Sequence, residues 1–307
     1  MSADQERGGV LAALSQELAD AVERIGRSVV SVESRRRVPG SGVVWPESGV
    51  IVTADHVLER QEDITVLLAS GDRVAATLAG RDPGSDLAVL RTEASAGQAA
   101  ELAPDGTARA GNLALAVGRA GGAAPGVSFG IISAVGGSWR TMRGGMLDGY
   151  LRADVTLYPG FSGGPLVDPA GRVLGVNSSH LAGGQAVAIP GGIVSGIVQT
   201  LLSHGRVRRG YLGVTSRPVE IPASLREKNG LSQESGLLLL GVEAGSGADS
   251  GGLFIGDVLL AISGQVTTDV EELQAALSGD VVGKAAAVKI LRGGELKELS
   301  VTPGERE

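Results

Sequence analysis

The feature that most constrains this chain is a succession of short β-branched runs between residues 28 and 190, separated by glycine, proline, aspartate and serine. They include "SVVSVES", "GVVWPESGVIVTADHV", "ITVLLASGDRVAATLAG", "DLAVLRT", "NLALAVG", "VSFGIISAVGG", "YLRADVT", "GPLVDPAGRVLGVNSS" and "QAVAIP". About ten strands joined by turns, with no helical stretch between them, predict antiparallel barrels or a sandwich. The 49 glycines, which follow no collagen-like period, fit many tight turns and few long helices. "ASGDR" and "DPAGR" read as hairpin turns.

Helical spacing occurs outside this region. Leu11, Leu14, Leu18, Val22 and Ile25 recur at intervals of three and four, which predicts an amphipathic helix over 9–26 packed on the β region. "IVSGIVQTLLSHG" (193–205) is helical again and closes the first domain. The basic, apolar-poor "HGRVRRG" suits a linker. Beyond it lies a separate module of mixed strands and one clear helix, for which Thr268 and Glu271 spell a capping box before Leu273, Ala276 and Leu277. The expected organisation is an N-terminal helix (1–27), a β domain (28–202), a linker (203–209) and a C-terminal module (210–305).

Composition removes several function classes. A net charge of −7 gives no electrostatic reason for nucleic-acid binding. With no cysteine and only three separated histidines (His56, His180, His204), neither a thiolate nucleophile nor a metal site is expected, and no cofactor is implied. No apolar run approaches the roughly 20 residues of a membrane span. The first 26 residues carry acidic groups where a secretory signal has a positive region, so a cytoplasmic location is expected for the chain as written, or an extracytoplasmic one if it was trimmed.

One stretch carries chemistry: "YPGFSGGPLVD", residues 158–168. A serine hydroxyl attacks a carbonyl at neutral pH only with an imidazole to take its proton and a carboxylate to orient that imidazole. It also needs N–H donors where the oxyanion forms, and flanking glycines let the backbone aim them. His56 ends the run "GVIVTADHV", and Asp86 opens "GSDLAVL", so the order is His, Asp, Ser, that of the chymotrypsin template. Asp82 precedes a proline and reads as a turn residue; Asp55 would point away from His56 on an extended strand. His180 and His204 read as solvated loop residues, His180 lying near the presumed substrate site.

"TADHV", "GSDLAVL" and "GFSGGPLVD" resemble the three catalytic blocks of HtrA/Deg-type trypsin-like serine proteases, with "GNLALAVGRAGG", "VSFGIISAVGG" and "QAVAIP" in matching places. The C-terminal module resembles that family's PDZ domain, with "GYLGV" as carboxylate-binding loop and "GLFIGDVLLAISGQ" as core hairpin. The resemblance implies a mainly β, chymotrypsin-like double β-barrel followed by an α+β PDZ domain. It implies Ser162 as nucleophile, His56 as general base and acid, Asp86 as orienting partner, and the N–H groups of Gly160 and Ser162 as oxyanion hole. Thr156, Asn177, Ser178 and Ser179 would line the specificity pocket. Tyr211, Leu212, Gly213, Val214, Leu273 and Leu277 would bind peptide. Unfolded proteins and C-terminal peptides are the implied partners, and a homotrimer or higher oligomer the implied assembly.

Four departures stand out. Phe161 replaces the family's usual asparagine before the serine and must find burial, either locking the oxyanion loop or holding it wrongly. Thr156, six residues before Ser162, is no pocket acid, so cleavage after small or medium apolar residues is expected. No aromatic residue precedes Trp45, where family members carry the residues that join their trimers. The export signal of bacterial relatives is also missing. Two functions therefore compete: an ATP-independent endopeptidase acting on unfolded or damaged proteins, and a latent or inactive protease serving as a peptide-binding chaperone or adaptor.

Overall fold

A computed structural model describes residues 3–34, 38–93, 97–122, 124–207, 210–277 and 281–305, and the side chains from residue 9 onward. It divides into two compact units, Met1–Val207 and Arg208–Glu307. Of the expected linker, 203–204 are the end of a helix, while 208–209 lie outside the described residues.

The first unit begins with α1 (Ala3–Gly26). Only its second half packs as the leucine stripe predicts: Ala21 and Ile25 are buried, with Leu18 and Val22 against the same core. Val10 and Leu11 are 69% and 68% exposed, so the stripe extends beyond the surface available to cover it. Six strands follow, β1 (Val29–Glu33), β2 (Gly40–Val44), β3 (Val50–Ala54), β4 (Ile64–Leu67), β5 (Arg73–Asp82) and β6 (Leu87–Thr92). They close an antiparallel barrel in the order β1-β2-β3-β6-β5-β4. In β2 and β3 every residue is buried, because one face fills the barrel and the other is covered. Small residues such as Gly42 fit there: a Cβ on Gly42 would press on Ile51, Val30 and Val32 at 3.0–3.1 Å.

A second barrel is built from β7 (Leu113–Gly118), β8 (Gly126–Gly136), β11 (Tyr150–Asp154), β12 (Pro165–Val167), β13 (Val173–Ser178) and β14 (Val187–Pro190). Its order is β11-β14-β13-β12-β7-β8, and a small hairpin, β9 (Trp139–Arg140) and β10 (Met146–Leu147), stands between β8 and β11. Both predicted turns close hairpins, with Gly71 and Gly171 at φ +93° and +78°. The helix α2 (Gly191–His204) ends on Gly205 at φ +73°, whose N–H bonds Leu201. A shared core holds Trp45, Leu87, Val117, Leu181 and Ile189. The end of β3, the start of β6 and the start of β12 carry the histidine, aspartate and serine blocks.

The second unit contains β15 (Gly210–Tyr211), β16 (Val214–Glu220), α3 (Ala223–Asn229), β17 (Ser235–Val242), α4 (Gly247–Ser250), β18 (Val258–Ile262), β19 (Gln265–Val266), α5 (Val270–Ala276), β20 (Ala286–Arg292), β21 (Glu295–Val301) and β22 (Gly304–Glu305). Its main sheet runs β16-β17-β18-β20-β21, which leaves β16 at an edge. The helix cap sits one residue later than the sequence reading: Asp269, not Thr268, accepts from the N–H of Glu272 at 2.7 Å. Glu272 reaches back to the Thr268 N–H at 2.6 Å and its hydroxyl at 2.7 Å. An ionised carboxylate is at least as good a cap as a threonine hydroxyl, and the shift brings Glu272 into the third helical position.

Candidate active site

His56 lies in a single 3-10 turn, Asp55–Val57, that ends β3. Asp86 lies just before β6 with φ +56°, a left-handed conformation rare outside glycine that aspartate tolerates better than most residues. Two backbone bonds hold it there, its own N–H to Pro83 at 3.4 Å and its carbonyl from the N–H of Asp55 at 3.0 Å. The strain is compensated by what the carboxylate reaches. His56 Nδ1 lies 2.7 Å from Oδ2 and 2.9 Å from Oδ1, and the His56 N–H donates to Oδ1 at 3.0 Å. Burial pushes the Asp86 carboxyl up, but the hydrogen bond and charge of His56 and the Ser178 hydroxyl outweigh it and hold it below the usual carboxylate value. A buried carboxylate on Nδ1 selects the tautomer that leaves Nε2 free to accept a proton.

Asp55 and Asp82 are occupied elsewhere. Asp55 is in the 3-10 turn instead of an extended strand, and its carboxylate meets Arg81 at 2.5 Å and Arg143 at 3.5 Å. Asp82 accepts from the N–H groups of Gly84 and Ser85 at 3.2 and 2.9 Å, the bonding of a turn residue.

Ser162 stands between two turns. The N–H of Phe161 bonds Tyr158 at 2.9 Å, and with Pro159 second and Gly160 third at φ +87° this is a type II turn. The N–H of Gly164 bonds Phe161 at 3.0 Å in the next turn, where Gly163 has φ +84°. Among the described residues, the N–H groups of Gly160 and Ser162 donate to no protein acceptor, which leaves both for a ligand. Phe161 is 5% exposed, and its ring lies over Gly118 and Gly126, where a Cβ would come within 2.6 and 3.1 Å of it. Tyr158 meets the same ring edge-on at 5.4 Å between centroids. The phenylalanine is thus buried against the second barrel and anchors the loop.

Ser41, on β2, supports that loop from the first barrel and had no distinguishing mark in the sequence beyond its place in "GSGVV". Its N–H donates to the Ser162 carbonyl at 3.1 Å, and its hydroxyl donates to Gly160 O at 2.6 Å and accepts from the Arg119 N–H at 2.7 Å. Arg119 is 3% exposed and donates to the carbonyls of Val29 and Gly26 at 2.8 and 2.9 Å. Burial without full hydration lowers the pKa of its guanidinium.

The residues expected to line the pocket separate. Ser178 is buried, and its hydroxyl donates to Asp86 Oδ2 at 2.5 Å, so it supports the carboxylate and does not face a pocket. Asn177 is 1% exposed, and its backbone pairs with Gly163 and Gly164 at 2.9 Å each. Thr156 is exposed, with its N–H on Ser128 Oγ at 2.8 Å. Ser179 lies 3.0 Å from Ser162 Oγ. His180 is not a free loop residue: its ring stacks on His56 with centroids 3.6 Å apart. His204 is the exposed last residue of α2.

In the second unit, Leu212 is buried and Gly213 has φ +80°, a position at which a Cβ would meet Ser246 at 2.2 Å. Carbonyls of Leu212 and Gly213 accept from Ala248 and Glu243 at 2.9 and 2.8 Å, while their N–H groups meet no protein acceptor among the described residues. Tyr211 donates its hydroxyl to Glu243 at 2.6 Å, and Val214 starts the edge strand β16, beside α5. Leu273 and Leu277 are 5% and 6% exposed and belong to the module's core instead of standing open in a groove.

Two closed six-stranded barrels, with histidine and aspartate from the first and serine from the second, define a trypsin-like serine protease fold. Residues 40–176 match a trypsin-like peptidase domain, and residues 210–302 match a PDZ domain. The chain is 32% identical to the HtrA-type protease AlgW solved with a tripeptide, with a TM-score of 0.76 over 94% of this chain and 97% of that one. It is 29% identical to the serine endoprotease from Yersinia pestis, with a TM-score of 0.77 over 94% and 98%. The chain belongs to the HtrA-type protease family.

It is also 34% identical over 272 residues to the probable periplasmic serine endoprotease DegP-like of Brucella suis, which covers 86% of this chain and 52% of the relative. A similar match, 34% over 276 residues, joins it to the protein of that name in Rhizobium meliloti. The chain therefore spans about half the length of the curated relatives it matches. Their names correct the expectation of a cytoplasmic protein. A folded barrel without cysteine is compatible with either redox compartment, so the physics of the domain never distinguished the two. Among the described residues, no helix is long and apolar enough to cross a membrane.

Proposed function

We propose that this protein is an ATP-independent serine endopeptidase that cuts unfolded or damaged proteins outside the cytoplasm. Ser162 is the nucleophile, His56 the base and then the acid, and Asp86 its orienting partner. The observation that carries this reading is the 2.7 Å bond between His56 Nδ1 and a fully buried Asp86, which prepares Nε2 to accept the serine proton. The free N–H groups of Gly160 and Ser162 supply the oxyanion hole. The attack transfers the Ser162 proton to His56 and forms a tetrahedral oxyanion. Collapse returns that proton to the departing amine, and water then releases the acyl group by the same base catalysis. Without an acidic residue at Thr156, cleavage follows small or medium apolar side chains. Cutting of an unfolded protein such as casein, lost in Ser162→Ala, tests the assignment.

The burial of Phe161 favours the endopeptidase over a permanently inactive adaptor, since the ring is housed over Gly118 and Gly126 and leaves the loop's donors unspent. The PDZ module binds the free carboxylate of a peptide on the N–H groups of Leu212 and Gly213, while the peptide strand adds to the edge of β16. Calorimetry is expected to show peptides ending in a free carboxylate binding at least about tenfold more tightly than their C-terminal amides, a charge-assisted bond being worth roughly 1.5–3 kcal/mol. Equal affinities would remove the carboxylate from the account.

A further inference from the structure

The hydroxyl of Ser162 is engaged, and not by His56. Its Oγ lies 3.0 Å from Ser179 Oγ and accepts the Ser179 N–H at 3.3 Å. Ser179 Oγ is in turn 3.3 Å from Nδ1 of His180. The His180 ring lies across the His56 ring, 3.6 Å between centroids and tilted by 31°. The His180 N–H donates to Ser178 Oγ at 3.1 Å.

We propose that Ser179 and His180 are positioning residues that form a resting latch: Ser179 holds the Ser162 hydroxyl off its base, and His180 covers the face of His56, until a peptide strand displaces both. The inference rests on Ser162 being the nucleophile. A hydroxyl has one proton and two lone pairs. Attack requires the proton to point at His56 Nε2 and a lone pair to point at the carbonyl carbon, and the bonds to Ser179 compete for both. Stacking at this separation also leaves no room for a substrate side chain on that face of the imidazole.

The backbone has the same dual state. Ser178 is the last residue of β13, and the N–H groups of Ser179 and His180, one of which an added strand would use, are both spent on the Ser162 and Ser178 side chains. The movable part is short. Ser178 is pinned to Asp86, and Leu181 is fully buried with its carbonyl bonded by the Met142 N–H at 3.3 Å, so only residues 179 and 180 have to move between two anchors. The latch makes the competent state a fraction of the resting population and raises the apparent cost of binding accordingly.

The test is the second-order rate at which a small fluorophosphonate labels Ser162 in wild type, Ser179→Ala, His180→Ala and Ser179→Thr, with Ser162→Ala as the zero. Each alanine variant is expected to label about fivefold faster, the weight of one neutral hydrogen bond, and Ser179→Thr, which keeps a hydroxyl, to rise less. In hydrolysis of a short peptide, the alanine variants should lower KM more than they change kcat, because the latch opens on binding. Unchanged or slower labelling in both alanine variants at wild-type melting temperature overturns the latch and leaves Ser162 as nucleophile. A rise for Ser179→Thr equal to that for Ser179→Ala overturns it as well. If wild type and all variants fail to label, the nucleophile assignment falls, and the latch with it.

Discussion

Asp86→Asn is expected to lower kcat about 10⁴-fold while leaving the fold in place. Asparagine accepts the left-handed backbone at φ +56° at least as readily as aspartate, so the turn that carries it need not rearrange. It can also still accept a bond from Ser178, which lies 2.5 Å away. What it loses is the fixed preference for a donor on His56 Nδ1. An amide can donate to that nitrogen, which moves the proton to Nε2 and disables the base. It also removes the negative charge that stabilises the imidazolium formed during attack. The measurement is kcat on a peptide substrate beside the melting temperature, and a kcat within tenfold of wild type would show that Asp86 does not orient the base. Linkage has a definite sign here. The folded-state carboxyl sits below its unfolded value, so its stabilisation is full above the ordinary carboxylate range and fades as pH falls through the folded value.

Gly160→Ala is expected to lower kcat about 10²- to 10³-fold, the cost of losing one oxyanion donor. A Cβ at this position would stand 2.5 Å from the Ala120 Cβ and 2.7 Å from the Pro39 carbonyl oxygen. The backbone at φ +87° would be strained for alanine even without those neighbours. The least costly relief turns the Pro159–Gly160 peptide over and converts the type II turn into type I, which aims the N–H away from the site. Hydrolysis at wild-type kcat would mean that this N–H is not part of the oxyanion hole.

The barrels and the serine, histidine and aspartate blocks were legible because their signals are local: β-branched runs, turn glycines, and the order of three short motifs. The features that were not legible are long-range. Nothing near Ser41 says that its hydroxyl will meet Gly160, 119 residues away. Ser178 resembled a pocket residue because it is one of a run of small polar side chains, and only the closure of the second barrel onto the first brings it to Asp86. His180 looked solvated for the same reason: stacking on His56 depends on how a loop folds back, which periodicity does not report. The leucine stripe of α1 predicts a helix packed on the barrel, yet only Leu18, Val22 and Ile25 meet the core while Leu11 stays exposed. Leu273 and Leu277 have the spacing of a buried helical face, and the core of the module took them. The compartment was never a property of the fold.

The central claim is that Ser162 cuts peptide bonds. Initial rates of casein hydrolysis by wild type and by Ser162→Ala, at equal concentration and with matched melting temperatures, test it most directly. Wild type is expected to cleave measurably, and the variant to lose about 10⁶-fold, below detection. Equal rates from the two proteins, or no cleavage by either across pH and temperature, would contradict it.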